Sequence, residues 1–561
     1  MRFQTEIAEA IARQLSLEPA EVEAAMTLPP DPTMGDLAYP CFKLAKVLRK
    51  NPAQIATDLA AALTGLPGVA EITTKGAYVN LTLDKTALAT EVLSEVARNR
   101  DDFGRRVANG KTVVIDYSSP NIAKPFHVGH LRSTVIGGAL YRIYGYLGYH
   151  CVGINHLGDW GTQFGKLIVA YKKWGSREAV EKDGITELLR IYVKFHDEAE
   201  KDPSLDDEAR AWFVKMQEKD PEALSLWQWF KDISMKEFER VYHMLGVTFD
   251  SYAGESFYND KMEAVVDELK EKGLLKESQG AMIVDLVDAG MPPCLILRKD
   301  GGTLYATRDL AAAFYRKQTY HFDKCLYLTA TDQILHFAQW FKVVEKMGYD
   351  WANQLVHVPF GLVSLPNGKL STRKGNVVLM EDLLNQAVAR TQAIIAEKNP
   401  DLPNKEEVAQ QVGIGAVIFD DLYNGRKKEI VFDWDRMLNF DGETGPYVQY
   451  THARTCSLLK KMPAPETCDF GLLTDPASVA VVKLLDAFPA KIEEAADKNE
   501  PFVISRHIVD LAQAFNKFYH DNPILSSEPA VRNARLFLTA CVETVLRQGL
   551  WLLGIQAPEQ M

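Results

Sequence analysis

From residue 112 onward, short apolar runs alternate with longer helical patterns, and that alternation limits what core the chain can build. "VVIDYSS", "CVGINHLG", "KCLYLTA" and "LVHVPFGLV" read as buried strands, and helical stretches follow three of them. Strand, helix, strand in that order predicts a parallel sheet with right-handed crossovers. The alternation stops between about 176 and 275, where charged helical segments such as "ITELLRIYVKFHDEAEKD" are expected to form an insertion. Beyond residue 380 almost every segment carries i, i+3, i+4, i+7 apolar spacing, which predicts a helical bundle. Before residue 105, helical patterns lead into the strand-like "AEITTKGAYVNLTL", and "RNRDDFGRRVANGK" reads as a linker. The expected architecture is an α+β domain over 1–105, an α/β domain over 106–380 with a helical insertion at about 176–275, and an all-α domain over 381–561.

A chain of 561 residues is too long for one hydrophobic core, which agrees with that division. The net charge of −12 argues against a uniformly basic surface but leaves room for a basic face on an acidic body. Seven scattered cysteines without a C-x-x-C pair fit a reduced, cytoplasmic protein with neither a disulfide framework nor a structural metal site. No apolar run approaches the ~20 residues of a membrane span.

Two segments imitate nucleotide loops and fail on inspection. "GRRVANGKT" has five residues between its glycines where a P-loop has four, and it precedes a strand instead of following one. "GIGAVI" at Gly413 lacks the third glycine of a dinucleotide fingerprint, so helix packing is the better account.

"SSPNIAKPFHVGHLRST" is different. Pro120 and Pro125 forbid a continuous helix, so helical geometry can begin only near Val128. His127 and His130 then sit at a helix N-terminus, beside free amide donors and the positive end of the dipole, with Lys124 alongside. Gly129 removes a side chain where something must approach the backbone. Donors without a nucleophile suit a phosphorus centre on which charge grows. A second half of such a site is expected in "SLPNGKLSTRKGN", a polar loop carrying Lys369, Ser371, Arg373 and Lys374 between a strand and a helix. Cations on a glycine-bounded loop are what a leaving pyrophosphate requires.

These segments resemble the signatures of class I aminoacyl-tRNA synthetases, and specifically of the arginyl enzymes, over essentially the whole chain. "HVGH" matches the first signature, while "KLSTR" departs from the usual K-M-S-K-S at Leu370 and Thr372. That departure leaves both Lys124 and Lys374 as candidates to neutralise pyrophosphate. "HLGDWGTQFG", "YATRDLAAA" and "FDWDRMLNFDGETGPYVQYTHAR" resemble further arginyl-enzyme segments, and "GDLAYPCFKLAKVLRKNPAQIA" resembles the family's N-terminal tRNA-binding addition.

The resemblance implies a Rossmann-like catalytic domain, an anticodon-binding helical domain, and attachment of L-arginine to tRNA(Arg). Mg-ATP is implied as a substrate complex, with no tightly bound cofactor and no membrane partner. A monomer is expected. It further implies that Tyr305, Asp309 and Gln333 line the arginine pocket and that Asp116 and Asn121 hold the α-carboxylate, the amine or the side chain. Tyr305 and Asp309 are also an i, i+4 pair, a carboxylate beside an aromatic that could pack on a guanidinium. His156, Asp159 and Trp160 are site-forming by resemblance, whereas His336, which follows a strand at the edge where α/β ligands bind, reads equally as a helix-packing histidine. On the helical domain, Tyr447, Tyr450, His452 and Arg454 supply stacking faces and cations for unpaired RNA bases. "NGRKKE" (424–429) reads as a phosphate-contacting turn. Two rivals fail: a cysteinyl enzyme would need a thiol metal pocket, and small nucleotidylyltransferases lack the helical tail. A catalytically impaired tRNA-binding paralogue is favoured only by the altered "KLSTR".

Overall fold

The computed structural model describes residues 2–299, 302–364 and 378–561. Its centre is a four-stranded sheet in the order Leu355–His357, Lys324–Tyr327, Thr112–Asp116, His150–Ile154, with every pairing parallel. Along the strand Thr112–Asp116, Val114 packs into one core while Val113 and Ile115 pack into another. Burial on both faces explains why this strand reads as a continuous apolar run. The chain moves from Thr112–Asp116 to one neighbour, His150–Ile154, and later returns to the other, Lys324–Tyr327. This reversal creates a crevice at the carboxyl ends of the two inner strands, where open α/β sheets bind ligands.

The helix Leu131–Tyr146 is buried on almost every side, between the sheet and the helices Lys405–Leu422 and Pro476–Lys498. Four helices follow, Thr162–Trp174, Arg177–Ala199, Ser204–Gln217 and Pro221–Leu245, the last three within the span where the sequence predicts a helical insertion. The helix Met262–Glu271 packs back on the sheet through Val265, Val266 and Leu269. An antiparallel meander follows, Leu275–Ser278, Ala281–Val284 and Cys294–Leu297, which the sequence patterns did not predict. Its strands are four residues each, too short to display a period.

The N-terminal sheet is antiparallel, in the order Leu37–Pro40, Tyr78–Leu83, Val69–Lys75. The helix Lys85–Asn99 leads out of it and packs Leu88, Val92 and Leu93 on the C-terminal helices Pro476–Lys498 and Pro529–Leu552. Gly413 serves packing as expected: a Cβ there would stand 2.9 Å from the backbone of Ala387 and Val388 on the neighbouring helix Met380–Lys398. Gly413→Ala is expected to cost about 1–3 kcal/mol, because backbone must move to admit the methyl. Thermal melting would register this as a lower midpoint, and an unchanged midpoint would contradict the close packing.

Candidate functional site

The loop after Thr112–Asp116 runs left-handed at three residues that are not glycine, with φ of 69° at Ser118, 49° at Ser119 and 59° at Ala123. Each such conformation costs roughly 1–3 kcal/mol and persists only where its surroundings dictate it. Here they do. The Ser118 amide donates to Ser133 Oγ at 2.8 Å, and the Ser118 hydroxyl lies 2.9 Å from Thr134 Oγ1 and 2.8 Å from the Tyr242 hydroxyl. Asn155 Nδ2 donates to the same tyrosine, and the Ala123 amide donates to Ser234 Oγ at 2.9 Å. Tyr242 and Ser234 lie on Pro221–Leu245, so the helical insertion braces the loop.

That loop delivers the two histidines into a short 3₁₀ turn, Val128–His130, which opens the helix Leu131–Tyr146. The rings cap each other's backbone: the Gly129 amide donates to His127 Nδ1 at 3.0 Å, and the His127 amide donates to His130 Nδ1 at 3.2 Å. With both Nδ1 atoms accepting, each neutral ring carries its proton on Nε2. Burial lowers the pKa of both, His130 to about 3, with repulsion from His127 and Lys124 adding to it. The pair therefore presents neutral Nε2–H donors, and Lys124 stands close enough to act on both rings electrostatically. Gly129 is small for a reason the sequence did not suggest. The approaching group is the His127 ring itself, whose Cε1 would lie 2.6 Å from a Cβ at 129.

Beside this turn, Asp116, Asp159, Glu255 and Asp309 gather close enough that His156 feels Asp116, Asp309 and Asp159, and Glu255 feels Asp159 and Asp309. Asp116 binds the buried Arg316 guanidinium at 2.8 Å and accepts from Ser119 Oγ. Asp159, fully buried, is committed to Lys231 at 2.7 Å and to the amide and hydroxyl of Ser256. Glu255 faces Arg308 at 3.4 Å. Among the described residues the partner of Asp309 is a histidine, His336, with Nε2 2.6 Å from Oδ2. Three carboxylates are matched by fixed cations; the fourth is matched by a group that need not be charged. Desolvation raises Glu255 to about 7, with Arg308 opposing and the two aspartates reinforcing the shift.

This geometry revises several expectations. Asp116 already holds an internal guanidinium, and Asp159 ties its loop to the insertion. His336, open from sequence between the ligand edge and helix packing, stands on Asp309. Tyr305 is 71% exposed at the start of its helix, and Gln333 and Asn121 are exposed as well. Glu255, Arg308 and Arg316 were missed. None carried a local signal: Arg316 is one of three cations on its helix, beside Arg308 and Lys317, and only the fold shows that it is buried. Lys369, Ser371, Arg373 and Lys374 lie outside the described residues.

On the helix Gly445–Lys461, Arg454 stacks over Tyr450 and over Tyr519 of a neighbouring helix, 5.0 and 5.2 Å from the ring centres. Arg454 and the Tyr447 hydroxyl share Asn516 as a partner, at 2.8 and 2.9 Å. Tyr450 and Tyr519 are exposed, which leaves an aromatic and cationic ledge. His452 does not join it. It is buried, bonded to Glu543 and to the Pro558 carbonyl, and although burial lowers its pKa, hydrogen bonds to Cys456 and Glu543 hold it at about 9. "NGRKKE" is also more than a solvated turn. Arg426 points inward to Glu500 and the carbonyls of Pro359 and Asn499, while Lys427 and Lys428 remain exposed.

Comparison with known proteins places this geometry in a family. The model for the tRNA synthetase class I (R) catalytic domain matches residues 92–434, that for the arginyl tRNA synthetase N-terminal domain matches 1–83, and that for the DALR anticodon binding domain matches 448–561. An arginine–tRNA ligase of Alkaliphilus metalliredigens is 54% identical, and one of Halothermothrix orenii 53% identical, each over 100% of both chains. The solved arginyl-tRNA synthetase of Thermus thermophilus superposes with a TM-score of 0.83 at 27% identity, covering 99% of each chain. The chain belongs to the arginyl family of class I tRNA synthetases.

Proposed function

We propose that this chain joins L-arginine to tRNA(Arg) through an arginyl-adenylate, and that the sites above divide the work. In the first step the α-carboxylate of arginine attacks the α-phosphorus of Mg-ATP and pyrophosphate leaves. In the second, the terminal ribose hydroxyl of the tRNA attacks the carbonyl of the mixed anhydride and AMP leaves. Neither step uses a protein nucleophile; catalysis is alignment plus charge stabilisation. The Nε2–H groups of His127 and His130 donate to phosphate oxygens, and because both rings are neutral they do so without taking a proton. Lys124 stands beside them, while Lys369, Ser371, Arg373 and Lys374 meet the ATP phosphates and the departing pyrophosphate.

The observation that carries the choice of substrate is the partnering of Asp309. An arginine side chain offers a permanent planar cation, which displaces His336 from the carboxylate or shares it. Tyr305 covers the guanidinium, and Gln333 and Asn121 complete the amino-acid contacts. On the RNA side, Tyr447, Tyr450 and Arg454 face the anticodon loop together with Tyr519. The exposed Phe42 and Tyr78 rings, 5.2 Å apart on the N-terminal domain, offer a second stacking surface. Among the described residues no helix is long and apolar enough to cross a membrane. A cytoplasmic monomer is the form in which we expect the enzyme to work.

Arginine-dependent ATP–pyrophosphate exchange, run with and without tRNA(Arg), tests the reaction. Exchange under either condition supports it, and its absence under both leaves an RNA-binding chain without activity. Asp309→Asn is expected to raise the KM for arginine about 100-fold, the loss of a charged hydrogen bond worth about 3 kcal/mol. Glu255 gives a pH signature. Its ionised form attracts the substrate cation, and with its pKa near 7 that form accumulates as pH rises. Arginine affinity should therefore strengthen between pH 6 and 8, and Glu255→Gln should flatten that rise in calorimetric titrations.

A further inference from the structure

Arg132 follows His130 by two residues on the helix that the histidine turn opens, and its side chain is 1% exposed. Its guanidinium touches three separated segments of the chain. Nε lies 3.2 Å from Asp421 Oδ2 on the helix Lys405–Leu422, and Nη1 donates to the carbonyls of Gly361 at 3.0 Å and of Lys428 at 2.5 Å. Asp421 is equally buried, at 2%, and desolvation raises its carboxyl group to about 6 against the pull of Arg132. Buried ion pairs contribute little net cohesion, because an apolar pair of similar volume does as well. What this pair supplies is geometry.

The three segments explain which geometry. Gly361 precedes the short strand Val363–Ser364, which pairs in parallel with Ile430–Val431 and runs on into the segment bearing Lys369 and Lys374. Lys428 belongs to the turn of the helical domain against which Gly361 is pressed. A Cβ at 361 would stand 2.7 Å from the Lys428 carbonyl oxygen, and the Gly361 amide donates to the Arg426 carbonyl at 2.8 Å. Arg132 closes the third side of that junction from the histidine helix. A guanidinium does this where an ammonium does not, because its planar fork reaches a carboxylate and two carbonyls at fixed angles.

We propose that Arg132 is a positioning residue for adenylate formation, setting the histidine turn and the strand Val363–Ser364 at the separation the reaction needs. The proposal rests on the function proposed above. Asp421 orients the guanidinium, and neither residue touches substrate.

The test is steady-state pyrophosphate exchange on Arg132→Gln, Arg132→Lys and Asp421→Asn in the full-length chain, with arginine KM, tRNA affinity and melting temperature measured for each. Displacing reacting groups by about 1 Å costs about 100-fold in rate. Arg132→Gln is therefore expected to lose about 100-fold in kcat with arginine KM and tRNA affinity within about two-fold of the parent. Arg132→Lys should recover part of that loss, and Asp421→Asn, which keeps the volume and one acceptor, should lose about 10-fold. The proposal is overturned if a folded Arg132→Gln or Asp421→Asn keeps the parental kcat. It is equally overturned if kcat, arginine KM and tRNA affinity deteriorate together with melting, since that is the behaviour of a structural strut. Asp421→Asn decides the matter should both Arg132 variants fail to fold. A parent chain with no arginine-dependent exchange would instead refute the function itself, and this proposal with it.

Discussion

The strained backbone at Ser118, Ser119 and Ala123 is the constraint on which the rest of the active region depends. These residues lie between the strand Thr112–Asp116 and the turn that carries His127 and His130, so their conformation sets the path from one to the other. The strain is held by a buried hydroxyl network, Ser118, Ser133, Thr134 and Tyr242, to which Asn155 donates through Nδ2. Such networks rigidify when complete and fail when one member is lost. The helical insertion thereby acquires a purpose: two of its residues, Tyr242 and Ser234, reach in to hold a loop more than a hundred positions earlier in the chain.

Electrostatics complete what the backbone begins. A crevice with four carboxylates would repel itself and take up protons if left uncompensated, and Glu255 is already part of the way there. Arg316, Lys231 and Arg308 supply permanent charge to three of them. Among the described residues the fourth, Asp309, is partnered by the His336 imidazole.

The legible part of the molecule was the part with local causes. Apolar runs on both faces of Val113–Ile115 announced a buried parallel strand, and Pro120 and Pro125 set where a helix could begin. What escaped reading were contacts between distant positions. Nothing around Asp116 signals Arg316, two hundred residues later, and nothing in "SYAGESFY" distinguishes Glu255 from a surface acid. Inward and outward cations looked alike as well: Arg426 and His452 seemed fit for RNA, yet both are turned into the protein, while Tyr519 stands on the ledge unannounced. The four-residue strands of the meander carry too few side chains for a period to appear.

The reciprocal capping of His127 and His130 has a consequence for how such a site can change over generations. Each ring satisfies an amide of the turn that presents the other, so replacing either one disturbs both the donor it supplied and the backbone beneath its neighbour. Loss of either histidine is therefore penalised twice, once in the donor it supplied and once in the turn.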